Sequence, residues 1–118
     1  MLRTFLRSKI HRATITEANL NYEGSITIDE EFLKIIDLLP NEKVEVLNFN
    51  NGERFETYVI RGKSGSKTIC LNGPAARLGQ VGDLVSILSY CLVDSTEINK
   101  FQPKIIYLTE KNNVLKTH

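Results

Sequence analysis

A chain of 118 residues fits one domain, with no room for a separate regulatory module. At that size about 65% of the unfolded surface is buried on folding, enough for a core without metal or disulfide staples. Lys and Arg number 15 against 14 Asp and Glu, a net charge of +1. That balance argues against the strongly basic face of a nucleic-acid binder and against a polybasic membrane anchor. With 42% apolar and 25% charged residues the chain reads as a folded globule.

Charges interrupt every apolar run from Met1 to Lys9, which fits neither a secretory signal nor a membrane span. Leu2 to His11 then alternates with a period of two, as a strand does. Tyr22 to Ile28 is a second extended stretch, interrupted by Gly24. Asp29 suits a helix N-cap, and Glu30 and Glu31 suit the first turn. Phe32, Leu33, Ile35, Ile36 and Leu39 follow at helical spacing, which predicts a helix running to Pro40. Val44–Phe49 and Arg54–Ile60 flank Asn50-Asn51-Gly52, a hairpin signal in which both central turn residues take positive φ. Gly62 to Ser66 is a further turn before the strand Thr68–Leu71, which Gly73-Pro74-Ala75-Ala76 breaks. Gly82-Asp83 opens a strand from Leu84 to Val93, Asp94 to Asn99 suits one helical turn, and Lys104–Leu108 is a last strand. The polar tail from Lys111 to His118 is expected to fray. Short strands, one helix and many glycine turns predict a single, mainly β domain, a small barrel. Cys70 and Cys91 each sit in an apolar run without a Cys-x-x-Cys partner or a nearby His, so both are expected to be buried free thiols of a cytoplasmic protein, not metal ligands.

Four segments could carry chemistry. In Tyr22-Glu23-Gly24-Ser25 the Ser25 hydroxyl could attack the preceding carbonyl, because glycine lets the backbone bend; most Gly-Ser pairs, however, are simply turns. Lys9 and His11 share one strand face about 7 Å apart, where the plain alternative is a solvated face. Arg54 and Tyr58 share a face of their strand with Thr57 turned away, so Arg54 could hold a carboxylate and Tyr58 deliver a proton. Asn72-Gly73-Pro74-Ala75-Ala76 is small enough to let a ligand approach the main chain, or to let a tight loop pack.

Taken together and in this order, these segments closely resemble the pyruvoyl-dependent aspartate decarboxylases. The matching runs are Lys9-Ile10-His11, Asn21 through Asp29, Asn51-Gly52-Glu53-Arg54-Phe55-Glu56-Thr57-Tyr58, Asn72-Gly73 with Ala75-Ala76-Arg77, and Val81-Gly82-Asp83. The resemblance reaches from the first residues to about Tyr107, and implies a six-stranded double-psi β-barrel with short helices. It further implies a homotetramer with sites between subunits, and a precursor that cuts itself between Gly24 and Ser25 into a small chain, 1–24, and a larger one, 25–118. Ser25 would then become a pyruvoyl group that forms a Schiff base with L-aspartate, so that β-alanine and CO2 are released for pantothenate synthesis. By the same resemblance Tyr58 is the proton donor, Thr57 serves both self-cleavage and substrate, and Lys9, His11, Arg54, Asn72, Gly73, Pro74 and Ala75 bind substrate. A maturation factor is among the partners that the resemblance allows.

Two positions depart from the family pattern. Leu47 stands where many relatives carry an aromatic residue, which implies a roomier pocket. Pro74 interrupts the usual Asn-Gly-Ala-Ala-Ala run and has no N–H to offer, so loop contacts are expected from its neighbours. Two rival readings belong to other classes. A catalytically inactive β-barrel binding module has no need of Lys9, Gly24, Ser25, Arg54, Thr57 and Tyr58 together, and a nucleic-acid-binding barrel sits poorly with a charge of +1.

Overall fold

The computed structural model describes residues 1–118. Nine strands form one continuous sheet: β1 (Leu2–Thr14), β2 (Glu17–Asn19), β3 (Ser25–Asp29), β4 (Lys43–Asn48), β5 (Arg54–Gly62), β6 (Ile69–Asn72), β7 (Leu84–Asp94), β8 (Lys104–Leu108) and β9 (Val114–Thr117). Their order is β2-β6-β3-β5-β4-β7-β1-β8-β9. Six strands from β6 to β1 form the central run, and β2, β8 and β9 extend it beyond the six expected. The chain brings the ends of that run together. β1 continues through Ile15 and Thr16 into β2, where Thr16 N–H donates to the Ile69 carbonyl at 2.8 Å and Ile69 N–H donates to Thr16 Oγ1 at 2.9 Å. Both β2 with β6 and β3 with β5 run parallel, as crossovers in a small barrel require. Ile10, Ile15, Ile26, Ile28, Leu71, Val85, Ile87 and Ile106 meet inside, all essentially inaccessible to solvent.

The helix is shorter than its apolar spacing implies. α1 covers Glu30–Ile35, and Asp37 turns left-handed at φ +54°. Leu38 N–H reaches back to the Leu33 carbonyl at 2.9 Å, and both side chains are buried, so a left-handed cap stops the helix before Pro40. The Asp29 cap is as expected: its carboxylate accepts from Glu31 N–H, and also from Gly65 and Lys67 N–H.

The β4–β5 connection is a hairpin, but only Gly52 takes positive φ, +77°. The reason is Asn48, whose side-chain oxygen accepts from Asn50 and Asn51 N–H and builds a longer loop than a two-residue turn. β1 overruns its predicted end because Arg12, at φ +62°, inserts a bulge and the strand resumes at Ala13. The tail is paired rather than frayed: β9 lies antiparallel to β8, and His118 and Ile105 exchange backbone hydrogen bonds. A short 3₁₀ turn spans Ile98–Lys100, overlapping the end of the Asp94–Asn99 region expected to hold a helical turn. Cys70 is a buried free thiol, whereas Cys91 is only half-buried on β7. No helix is long and apolar enough to cross a membrane.

Candidate active site

Register decides which side chains can meet. Across the central sheet Ile10 faces Ile87, Ile87 faces Val46, and Val46 faces Phe55, and these turn inward to the core. The flanking row Lys9, Leu88, Glu45, Glu56 therefore points outward, as do Leu47 and Arg54, which pair with each other. Tyr58 faces Lys43 on the same outer side, whereas Thr57 faces buried Val44. The sequence expectation for β5, with Arg54 and Tyr58 together and Thr57 turned away, matches this register.

Ser25 begins β3 directly before the Ile26–Val59 pairing, which sets it beside Tyr58 on the neighbouring parallel strand. On its other side Ser25 is the direct antiparallel partner of Asn72. Ser25 is 0% exposed. Asn72 Nδ2 donates to Ser25 Oγ and to Thr27 Oγ1, each at 2.9 Å. The Ser25 hydroxyl leans toward the Glu23 carbonyl at 3.4 Å, a weak contact that leaves its proton loosely held.

The loop after β6 closes over this point. Gly73 has φ +62°, and a Cβ there would lie 2.6 Å from the Tyr22 carbonyl oxygen and 2.8 Å from Gly24 N. Only glycine allows that approach. Gly73–Arg77 forms a 3₁₀ turn with Pro74 in its first residues, where a missing N–H costs nothing, so the departure at Pro74 is compatible with the turn. Gly24, Thr57, Tyr58, Pro74 and Ala75, with Phe55, line a cavity of about 330 Å3. Eight of the predicted site residues thus collect at the Gly24–Ser25 peptide: Gly24, Ser25, Thr57, Tyr58, Asn72, Gly73, Pro74 and Ala75.

Lys9 and His11, on β1, stand apart from that cavity within one chain, whereas Arg54 begins β5 next to the lining residue Phe55 without forming part of the wall. β1 and β5 are three inter-strand steps apart, roughly 14 Å. Arg54 is exposed and meets Glu45 Oε1 at 3.5 Å; the same oxygen accepts from the Tyr90 hydroxyl at 3.1 Å. His11 packs edge-on against Phe49 and Tyr107, and its Nδ1 lies 3.3 Å from Ser86 Oγ. Burial, then the nearby Lys9 and Arg12 charges, hold its pKa below the ordinary 6.5. Of the two cations expected to converge on one substrate, Lys9 is therefore three inter-strand steps from the strand that carries Arg54 and Tyr58.

Three neighbours of these residues escape the sequence reading. Cys70 Sγ lies 3.2 Å from Asn72 Oδ1. Thr27 shares the Asn72 amide. Glu45 holds Arg54. Cys70 and Asn72 are two apart on a strand and so share a face, which was a usable signal for the first.

Comparison with known proteins bears on the chain as a whole. A family model described as aspartate decarboxylase matches residues 1–115. A protein of Caldicellulosiruptor saccharolyticus named aspartate 1-decarboxylase is 61% identical over 116 residues, 98% of this chain and 91% of that protein. One of Desulfitobacterium hafniense with the same name is 60% identical over the same shares. One of Thermoanaerobacter pseudethanolicus, also so named, is 57% identical over 95% of this chain and 96% of its own length. Similarity at this level over nearly the whole chain, the Gly24–Ser25 junction included, makes this chain a member of the aspartate decarboxylase family.

Proposed function

We propose that this chain is the precursor of a cytoplasmic, pyruvoyl-dependent aspartate decarboxylase. It cuts itself between Gly24 and Ser25, then converts L-aspartate to β-alanine and CO2 for pantothenate synthesis. The observation that carries this reading is the fully buried Ser25 hydroxyl, held by Asn72 next to a glycine peptide that the Gly73 loop approaches closely.

Attack of Ser25 Oγ on the Gly24 carbonyl carbon exchanges the peptide bond for an ester and frees the Ser25 amine. Removal of the Ser25 Cα proton with rupture of the Cβ–Oγ bond releases Gly24 as a carboxylate and leaves a dehydroalanine. Uptake of one water and loss of ammonia then leave the ketone. The residues present fit that group: a buried serine, a small cradle at Gly73 that a Cβ would fill, and a cavity of about 330 Å3 alongside. The ketone, once formed, supplies an electron sink for the carbon losing CO2.

The chain's own residues do the rest. Thr57, at the cavity with Gly24, donates to the developing oxyanion during cleavage and to substrate afterwards. Tyr58, beside Ser25 in register, returns a proton to the substrate carbon. Asn72, Gly73, Pro74 and Ala75 form the wall, with contacts supplied by the N–H and carbonyl groups flanking Pro74. Arg54 and Lys9 take the two carboxylates of aspartate, and His11 lines the same pocket.

Lys9 and Arg54 lie outside the cavity of their own chain, which supports a homotetramer whose sites form where one copy's outer face meets another's Gly24–Ser25 junction. Exposed apolar side chains at Leu92, Phe49 and Tyr22 favour such burial. A maturation factor belongs to this reading only if the purified chain cuts slowly.

The test is a denaturing mass spectrum of purified protein after prolonged warm incubation. Two fragments are expected, 1–24 and 25–118, the second lighter by one ammonia than a fragment beginning with serine. Aspartate should then release CO2, and light scattering should give the mass of four cut protomers. A single uncut species that persists with added cell extract would overturn the proposal.

A further inference from the structure

Asn72 holds its amide between two unlike sides. Toward β3 lie two hydroxyls, Ser25 Oγ and Thr27 Oγ1, at 2.9 Å each from Nδ2. Back along its own strand, two residues earlier, lies the Cys70 thiol, 3.2 Å from Oδ1. An amide can sit either way round, and its neighbours choose. Hydroxyls accept well, whereas sulfur accepts poorly and donates through S–H. The orientation with NH2 toward Ser25 is therefore favoured while a donor occupies position 70. The only other acceptor within reach of that thiol, the Leu71 carbonyl, is at 3.9 Å.

We propose that Cys70 is a positioning residue for self-cleavage, whose S–H fixes the Asn72 amide so that Nδ2 donates to Ser25 Oγ. This rests on the reading that Ser25 is the cleavage nucleophile. The bond from Nδ2 holds Oγ at one place and stabilises the charge that develops on it as its proton leaves. Burial, and then the Glu17 carboxylate, raise the thiol pKa, so the proton it must donate stays in place. Cys70 and Asn72 also line an open cavity of about 410 Å3, from which water can reach the amide if the thiol is removed.

The experiment compares cleavage rates, by denaturing mass spectrometry, of the wild-type chain with Cys70→Ser, Cys70→Ala and Cys70→Val. Ser keeps a donor, Ala opens the site to water, and Val fills the space without a donor. Wild type and Cys70→Ser should cleave within about twofold of each other. Cys70→Val should be about three- to tenfold slower, the worth of one hydrogen bond, with Cys70→Ala between them. Proton exchange of the Asn72 side-chain amide, read by NMR on uncut chain, should be slow in wild type and Cys70→Ser and faster in the other two. If Cys70→Val cannot be purified folded, Ser against Ala decides. Cleavage of Cys70→Ala and Cys70→Val at the wild-type rate, a Cys70→Ser chain as slow as Cys70→Val, or an amide signal indifferent to position 70 each overturns the inference. A wild-type chain that never cuts itself refutes the nucleophile reading instead, and the amide signal alone then judges Cys70.

Discussion

Ser25 and Asn72 are direct partners across the antiparallel β3–β6 pair, and the Asn72 amide donates to the Ser25 hydroxyl at 2.9 Å. A fully buried hydroxyl is thereby tied to the strand that carries the Gly73 loop, so one short segment both restrains the serine and covers the peptide before it.

Replacing Ser25 by Ala should leave an intact, folded chain that never cuts itself. Asn72→Ala removes one partner from Ser25, Thr27 and Cys70 at once. We expect it to cut at least tenfold more slowly and to lose about 1–3 kcal/mol of stability, readable by mass spectrometry and denaturant melts. Normal cutting in Asn72→Ala would remove the amide from the mechanism.

Gly73→Ala sets a Cβ 2.6 Å from the Tyr22 carbonyl oxygen in a left-handed residue. The loop must move away from the Gly24–Ser25 junction or strain, at about 1–3 kcal/mol. Slower cutting together with a lower melting temperature is the expected outcome. A variant matching wild type in both would show that the close approach is dispensable.

Tyr58→Phe should still mature, because the cleavage chemistry does not draw on its hydroxyl. Turnover of aspartate should fall by about 10²-fold or more, the usual worth of a positioned proton donor. Steady-state assays on the fully cut protein check this, and an unchanged kcat would move the proton donor elsewhere.

His11 offers a prediction in pH. Its folded pKa lies below the ordinary 6.5, chiefly through burial and then through Lys9 and Arg12. Between the two values the unfolded chain binds the extra proton and the folded chain does not. Stability should therefore fall as pH drops below about 6.5, and His11→Gln should flatten that part of the curve. Melting temperatures from pH 7 to pH 5 would show it, and equal slopes in the two proteins would contradict it.

Asp29 caps α1 and accepts from the N–H groups of Glu31, Gly65 and Lys67 while fully buried. Asp29→Ala should cost about 2–4 kcal/mol, more than an ordinary cap, because two loop donors lose their acceptor along with the helix. A loss under about 1 kcal/mol in denaturant unfolding would mean that water replaces the carboxylate.

What was legible in the sequence follows from local chemistry. The Asp29 cap, the hairpin around Gly52 and the faces of Arg54, Thr57 and Tyr58 depend on residues within a few positions of one another, and all three appear in the structure. The helix end was misjudged because Pro40 is a conspicuous stop, while Asp37 in a left-handed turn is a quiet one. β2 escaped because its three exposed residues carry no apolar period, and β9 because a polar tail shows no sign of its partner.

The sequence by itself therefore determined the mainly β class, the short motifs and the faces on which Lys9, His11, Arg54 and Tyr58 project, since a period of two is a property of the strand alone. Only the tertiary structure decided which of those residues share a cavity. Pairing joins distant segments, such as β1 with β7 and Ser25 with Asn72, and no local pattern encodes that register. It set the Asn72 amide against the Ser25 hydroxyl, and it kept Lys9 and Arg54 three strands apart, because hydrogen-bonded neighbours in a curved sheet are chosen by the packing of one shared core.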